Sequence, residues 1–247
     1  MKPDLPMSRT FAESTVVITG ASRGIGRRIA LTFAAETSHA LFLIARDSDS
    51  LEKVKQECIE VGASAVETAI CDLTRAEEIR QLALSGTMPD PGILINNAGS
   101  FLLKPLQETT LEEFDREWTI NTRAPFLITR QFLPALKHAE RGLIVNITSV
   151  SALKGQARSG AYASTKHALL GLTRSLRLEL KGSQVAVTAI NLGQTFSTSW
   201  EGIDVDPREL IDPDDVARLI ITMSRLSPRT VVEEITLQPQ GGPRSPD

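Results

Sequence analysis

The chain has 247 residues, 41% of them hydrophobic and 23% charged, a length and balance that suit a globular protein with a sizeable core and exclude a mini-protein or a largely disordered chain. A formal net charge of -3, with Lys and Arg scattered along the chain, leaves no basic footprint for nucleic acid. Cys58 and Cys71 form neither a disulfide framework nor a zinc-ligand spacing, and the opening MKPDLPMSRTFAES has no apolar signal-like run, so a cytoplasmic protein free of membrane is expected.

In chain order, short β-branched apolar runs alternate with helix-patterned segments. Strands are expected at 15–19 (TVVIT), 40–45 (ALFLIA), 64–70 (SAVETAI), 92–96 (GILIN), 142–148 (GLIVNIT), 185–190 (VAVTAI) and 231–237 (VVEEITL). Helices are expected near 24–37, 48–61, 75–84, 110–138, 160–181 and 213–226. Continuous apolar strands are buried on both faces, which predicts an α/β fold: one doubly wound, seven-stranded parallel sheet with helices on both faces, a single domain over 1–247. The proline-rich start at 1–13 and the tail at 241–247 read as flexible ends. Ligands of such sheets gather at the carboxyl ends of the strands. Gly20, Arg46, Asp72, Asn97, Ser149 and Gly193 stand there.

Residues 19–26, TGASRGIG, join the first strand to the first helix. Gly20, Gly24 and Gly26 permit a tight turn and, with the amides of Ser22, Arg23 and Ile25, a close approach to a pyrophosphate at the helix N-terminus. The spacing is G-x-x-x-G-x-G, unlike the common G-x-G-x-x-G fingerprint. After the third strand, Asp72 can accept a hydrogen bond from an adenine amino group and Leu73 can offer a backbone amide; the pair could also begin the next helix. After the fourth, Asn97, Ala98 and Gly99 of NNAG would let backbone pass close to a ribose, or could be only a turn.

Tyr162, the chain's only tyrosine, precedes Lys166 by four residues, so the two can share a helix face. A phenol with an unperturbed pKa of ~10 must move by about three units, roughly 4 kcal/mol, to exchange protons near neutrality. An adjacent ammonium has the sign for that shift, so a lowered Tyr162 pKa is expected. TGASRGIG, NNAG, Asn121, Ser149 and YASTK stand in an order and spacing that resemble the short-chain dehydrogenase/reductase family, over about residues 15–240.

The resemblance implies a single Rossmann-type domain and hydride transfer between a nicotinamide cofactor and a carbonyl or secondary alcohol. It implies Tyr162 as acid/base, Lys166 as the residue that lowers its pKa and binds the nicotinamide ribose, and Ser149, thirteen residues before Tyr162, as the hydroxyl that holds the substrate carbonyl, with Ser151 the rival assignment. Asn121, midway along a long helix, would position a water through its main-chain carbonyl. Gly193, Thr195 and Ser197 match the family's cofactor-contacting segment, with Leu192 at its proline position. Residues 194–211 would form a substrate lid, with Phe196, Trp200 and Ile203 as contacts beside Phe101 and Leu153.

Cofactor choice follows from charge. Ala45 stands where NAD-preferring relatives often carry an acid, while Arg46 and Arg23 would welcome a 2′-phosphate, so NADP is expected, with Asp47 a possible partner that blunts Arg46. His39, His138 and His167 lie on separate elements without ligand spacing, so no metal is expected. TSWEGIDVD and PRTVVEEITLQP are similar to sepiapterin reductase-like members of the family, and a more general likeness extends to its 3-oxoacyl-acyl-carrier-protein reductases. The intact set of motifs favours an enzyme over a non-catalytic NADP-binding sensor. Apolar helix surface at 110–138 and 160–181 suggests a homodimer or homotetramer.

Overall fold

The computed structural model describes residues 14–200 and 202–242. Seven parallel strands form one sheet in the order β3-β2-β1-β4-β5-β6-β7. The strands are β1 (Thr15–Thr19), β2 (Ala40–Ala45), β3 (Val66–Ile70), β4 (Pro91–Asn96), β5 (Gly142–Ile147), β6 (Val185–Leu192) and β7 (Glu234–Leu237). The helices are α1 (Gly24–Glu36), α2 (Ser48–Glu60), α3 (Ala76–Arg80), α4 (Leu111–Trp118), α5 (Ala124–His138), α6 (Gly160–Glu179) and α7 (Pro213–Ser224).

Every residue of β1, β2, β4 and β5 is buried, because successive side chains enter opposite cores. Val16, Ile18, Leu41 and Leu43 pack with Ile29 and Phe33 of α1, Leu51 of α2 and Ile220 of α7. Val17, Phe42 and Ile44 pack on the other face with Ile79 of α3, Ile128 and Phe132 of α5 and Leu180. The chain winds outward from β1 to β3 and then returns to place β4 beside β1. That reversal opens a crevice at the carboxyl ends of β1 and β4.

Several elements differ from expectation in extent. The third strand starts at Val66 rather than 64, and the seventh is confined to Glu234–Leu237. The sixth runs two residues further, through Leu192, which pairs with Leu237. The helix expected at 75–84 stops at Arg80; Gln131 Nε2 lies 3.4 Å from the Arg80 carbonyl and donates to that of Leu82 at 2.9 Å, satisfying oxygens beyond the helix. Of the ends expected to be flexible, 1–13 and 243–247 lie outside the described residues. Gln240 and Gly241 form a turn closed by the Gly242 amide on the Pro239 carbonyl.

The helix expected over 110–138 is divided by a π-turn, Thr119–Arg123, centred on Asn121. Pro125, near the start of α5, has no N–H to give the carbonyl of Asn121 four residues earlier, so the α-helical ladder cannot continue through this point. The N-terminal half is fixed by a capping box in which Thr110 and Glu113 satisfy each other's backbone amides.

A chain of buried amides and hydroxyls ties the adjacent strands β4 and β5 to helices α5 and α6. Asn96 Nδ2 donates to Asn146 Oδ1 at 2.8 Å and to Thr129 Oγ1 at 3.0 Å, and Asn146 Nδ2 donates to Thr173 Oγ1 at 2.8 Å. All four side chains are buried, so a missing member leaves its partners unpaired and without water. Asn146→Ala should therefore lower stability by about 2–4 kcal/mol, read as a lower urea midpoint at unchanged slope.

Candidate active site

The glycine-rich turn is shaped by contacts that only glycine allows. Gly20 and Gly24 have φ of +66° and +55°, left-handed values that favour glycine. A Cβ at Gly26 would sit 2.3 Å from the Gly20 carbonyl oxygen and 2.5 Å from Asn97 Nδ2. The end of β4 staples this turn from below. Thr19 Oγ1 accepts from the amides of Asn97 (3.0 Å) and Ala98 (3.1 Å), and Asn97 Nδ2 donates to the Thr19 carbonyl at 3.0 Å. Helix α1 starts at this turn with no side-chain cap and no acid in its first turn, so its amides and dipole are directed at the crevice.

Beside the turn, Ser22, Arg23, Arg46, Asp47 and Ser50 line a cavity of about 340 Å³. The expected alternative, that Asp47 neutralises Arg46, is not what the structure shows. Asp47 caps α2 through the Ser50 amide at 2.8 Å, and among the described residues it makes no ion pair with Arg46. Two guanidiniums thus border one polar cavity. At the end of β3, Asp72 closes its own turn, accepting from the Thr74 amide (2.9 Å) and hydroxyl (2.8 Å) through Oδ1. Burial opposes its ionisation, but those two bonds, with Arg46 and Arg75 nearby, hold the carboxyl below the usual range. The N-cap of α3 is Arg75, not Asp72, so the helix-start reading of Asp72 does not hold; Leu73 is buried against the α3–α5 core.

At the carboxyl end of β5, Ser149 caps a single 3-10 turn, Val150–Ala152, accepting from the Ser151 amide at 3.1 Å. Its hydroxyl lies near enough to Tyr162 to favour the phenolate. The rival Ser151 is buried, with Oγ 3.4 Å from Gln156 Oε1. Tyr162 and Lys166 both sit in the first two turns of α6. Lys166 is 5% exposed; its Nζ donates to the Ile147 carbonyl at 3.1 Å and lies 5.7 Å from the Tyr162 ring centroid. Phe101 meets the Tyr162 ring edge-to-face, centroids 4.9 Å apart.

The electrostatics correct one expectation. Tyr162 is pushed up to about 12, chiefly by burial, with Ser149 lowering it and Glu117 raising it. Burial also brings Lys166 down to about 8, opposed by Glu117. The ammonium is near the phenol, but the low-polarity setting penalises every charged form, so burial outweighs Ser149 and the tyrosine's net shift is upward.

Asn121 is fully buried. Its Oδ1 accepts from the Ser100 amide at 3.1 Å, and its Nδ2 donates to the Ser100 carbonyl at 3.2 Å and to Glu117 Oε2 at 3.0 Å. Glu117 was not anticipated, although its i, i+4 spacing to Asn121 is visible in EWTIN. A Cβ at Gly99 would lie 2.8 Å from Asn121 Oδ1 and 3.6 Å from Lys166 Nζ, so this glycine lets NNAG, the π-turn and α6 meet.

The segment 194–211 is closed at its base, where Phe196 donates to the Ile211 carbonyl (3.0 Å) and Ile211 to that of Gln194 (2.9 Å). Gly193 is pinned by its amide on the Leu237 carbonyl at 2.9 Å, so sheet pairing holds the strand end where Leu192 replaces proline. Ser197 and Thr198 lie across from Gly24, within 3.5 Å of where its Cβ would stand; Thr198 was not foreseen. Trp200 is tied inward by Nε1 on the Thr195 carbonyl at 2.9 Å, whereas Phe101, Leu153, Phe196 and Ile203 are exposed. The ring nitrogens of His39, His138 and His167 bond to backbone carbonyls, and among the described residues no group of three His, Cys, Asp or Glu could hold a metal. No described helix is long and apolar enough to cross a membrane.

A family model described as short chain dehydrogenase matches residues 14–205. The chain is 32% identical over 236 residues to a sepiapterin reductase of Chlorobaculum tepidum, covering 92% of this chain and 96% of that one. Among solved structures it resembles a metagenomic short-chain oxidoreductase in complex with NADP (30% identity, TM-score 0.81, 93% and 98% covered). It also resembles an alcohol dehydrogenase from Thermococcus sibiricus complexed with 5-hydroxy-NADP (28% identity, TM-score 0.86, 95% and 99% covered).

The stapled turn yields a direct test. Gly26→Ala puts a methyl group into the Gly20 carbonyl and should destabilise the protein by about 1–3 kcal/mol, measured by chemical denaturation.

Proposed function

Because the chain belongs to the short-chain dehydrogenase family, we propose that it is an NADP(H)-dependent oxidoreductase that interconverts a carbonyl and a secondary alcohol on a small molecule. The carrying observation is that Tyr162, with Ser149 nearby and the buried Lys166 Nζ 5.7 Å from its ring centroid, stands at the same sheet end as the glycine cradle. The cradle suits a dinucleotide because a Cβ at Gly26 would fill it. The cavity bordered by Arg23 and Arg46 suits a 2′-phosphate. The residues that would hold the cofactor are Gly20, Ser22, Arg23, Gly24, Ile25, Gly26, Arg46, Asp72, Leu73, Asn97, Ala98, Gly99, Tyr162, Lys166, Gly193, Thr195 and Ser197. When bound, NADP(H) supplies or accepts the hydride and, oxidised, brings a cationic ring to the site.

The chain's own groups manage the proton. In reduction the Tyr162 hydroxyl donates to the developing alkoxide while the Ser149 hydroxyl hydrogen-bonds the same oxygen. Lys166 stabilises the phenolate left behind, and Asn121, through its main-chain carbonyl, positions a water that returns the proton. Phe101 and Leu153, with Phe196 and Trp200 of a lid over 194–211, form the substrate walls. Similarity to the Chlorobaculum tepidum protein favours a pterin side-chain carbonyl over a 3-oxoacyl thioester. Exposed Leu111, Phe114, Trp118 and Leu178 support a homodimer or homotetramer, which light scattering would show.

Tyr162→Phe should cut turnover by ~10³-fold or more and leave NADPH binding, followed by fluorescence, nearly intact; undiminished turnover would sink the mechanism. Arg46→Glu should weaken NADPH at least about tenfold while sparing NADH, seen in their separate KM values. Lys166 must be protonated to support the phenolate and is held at about 8. Its pKa is lowered, so the charged form is lost as pH rises through that value. Carbonyl reduction should accordingly decline above about pH 8 in a pH–rate profile.

A further inference from the structure

Glu117 is a carboxylate only 2% exposed, on the last turn of α4, with no cationic side chain in salt-bridge range among the described residues. It is not a stray polar group. Ser100 Oγ donates to its Oε1 at 2.6 Å, and Asn121 Nδ2 donates to its Oε2 at 3.0 Å. Each carboxyl oxygen thus has its own hydrogen-bond donor. A Cβ at Gly99 would lie 2.8 Å from Asn121 Oδ1 and 3.6 Å from Lys166 Nζ, so the side chain that Glu117 holds stands beside the buried lysine.

We propose that Glu117 is a positioning residue for the Tyr162–Lys166 couple, a buried counter-charge that keeps Lys166 an ammonium while its two hydrogen bonds fix Ser100 and Asn121. The proposal rests on the reading of Tyr162 and Lys166 as the proton-handling pair. In a low-dielectric interior an ammonium without a counter-ion sheds its proton, and among the described residues Lys166 Nζ is bonded to a neutral carbonyl alone. Among the described residues Glu117 is the charged group that acts on both members of the couple, and it favours the protonated form of each.

The other charged groups on the surrounding elements are engaged or at the surface. Lys104 pairs with Glu113 at 2.9 Å, and Arg123 of the π-turn donates to the Thr74 carbonyl at 2.7 Å. Glu112, Asp115 and Arg116 of α4, Lys154 and Arg158 of the loop before α6, and His167 of α6 are exposed, where water screens them.

Glu117→Gln keeps the shape and removes the charge. Because Glu117 raises both Tyr162 and Lys166, its loss should move the alkaline limb of kcat/KM for carbonyl reduction to lower pH by about one unit, whereas Glu117→Asp should keep the limb near the wild-type position. A second reading needs no turnover. Tyr162 is the only tyrosine, so ultraviolet titration of its phenolate in the cofactor-free protein is site-specific, and its midpoint should also fall in Glu117→Gln. A folded Glu117→Gln protein with both midpoints unmoved overturns the proposal. Should that variant fail to fold, Glu117→Met is the second neutral replacement; if neither folds, the carboxylate serves the fold and the proposal is likewise overturned. Tyr162→Phe separates the two ideas: turnover that survives it sinks the dehydrogenase mechanism, while unmoved midpoints in Glu117→Gln alongside a dead Tyr162→Phe sink only the role of Glu117.

Discussion

A parallel sheet covered on both faces has no wet side, and the rest of this structure follows from that constraint. Strand residues in β1, β2, β4 and β5 must be apolar or bring their own hydrogen-bond partners. Polar chemistry is displaced to where the strands stop. Buried polar residues inside the strands, among them Thr15, Asn146 and Thr188, each find a side-chain or backbone partner. The displaced chemistry is correspondingly concentrated: Thr19, Asn97, Ser149 and Asn191 all stand at or just past strand ends, and each bonds to a neighbouring strand or to the turn beside its own.

The same burial sets the electrostatic character of the site. It raises the phenol and lowers the ammonium, so both members of the pair are held in their neutral forms more firmly than in water. The fold supplies opposing influences one at a time: a serine hydroxyl at the phenol, and at the ammonium a carboxylate, with a carbonyl bonded to it. No single contact dominates, and the geometry depends on glycine at position 99 to let three elements approach one point.

The fold was legible because its information is local and repetitive. VVIT and LFLI can hardly be anything but doubly buried strands, and TGASRGIG between a strand and a helix carries its own turn geometry. The π-turn was not anticipated, although Pro125 four residues after Asn121 marks where the helical ladder must fail. Asp47 was weighed as a partner of Arg46 when its position before SDS, at the start of α2, identified it as a cap. Glu117 lay hidden for a different reason. In LEEFDREW it is one of several acids on an otherwise exposed helix, and only the tertiary approach of Ser100 shows which acid turns inward. Likewise, the spacing of Tyr162 and Lys166 gave their proximity but not the depth of burial that decides the sign of the phenol's shift.

Helix α1 differs from α2, α4 and α7, whose N-termini are closed by Asp47, Thr110 and Asp212. Its first turn faces the crevice with two arginines nearby and no acid, so the missing cap is one that an anionic ligand can furnish. Such a ligand binds only the folded chain and shifts the folding equilibrium by mass action. The lifetime of the protein against unfolding and proteolysis is thereby coupled to the supply of the molecule it binds, and its abundance in a cell would follow nucleotide levels without any dedicated regulator.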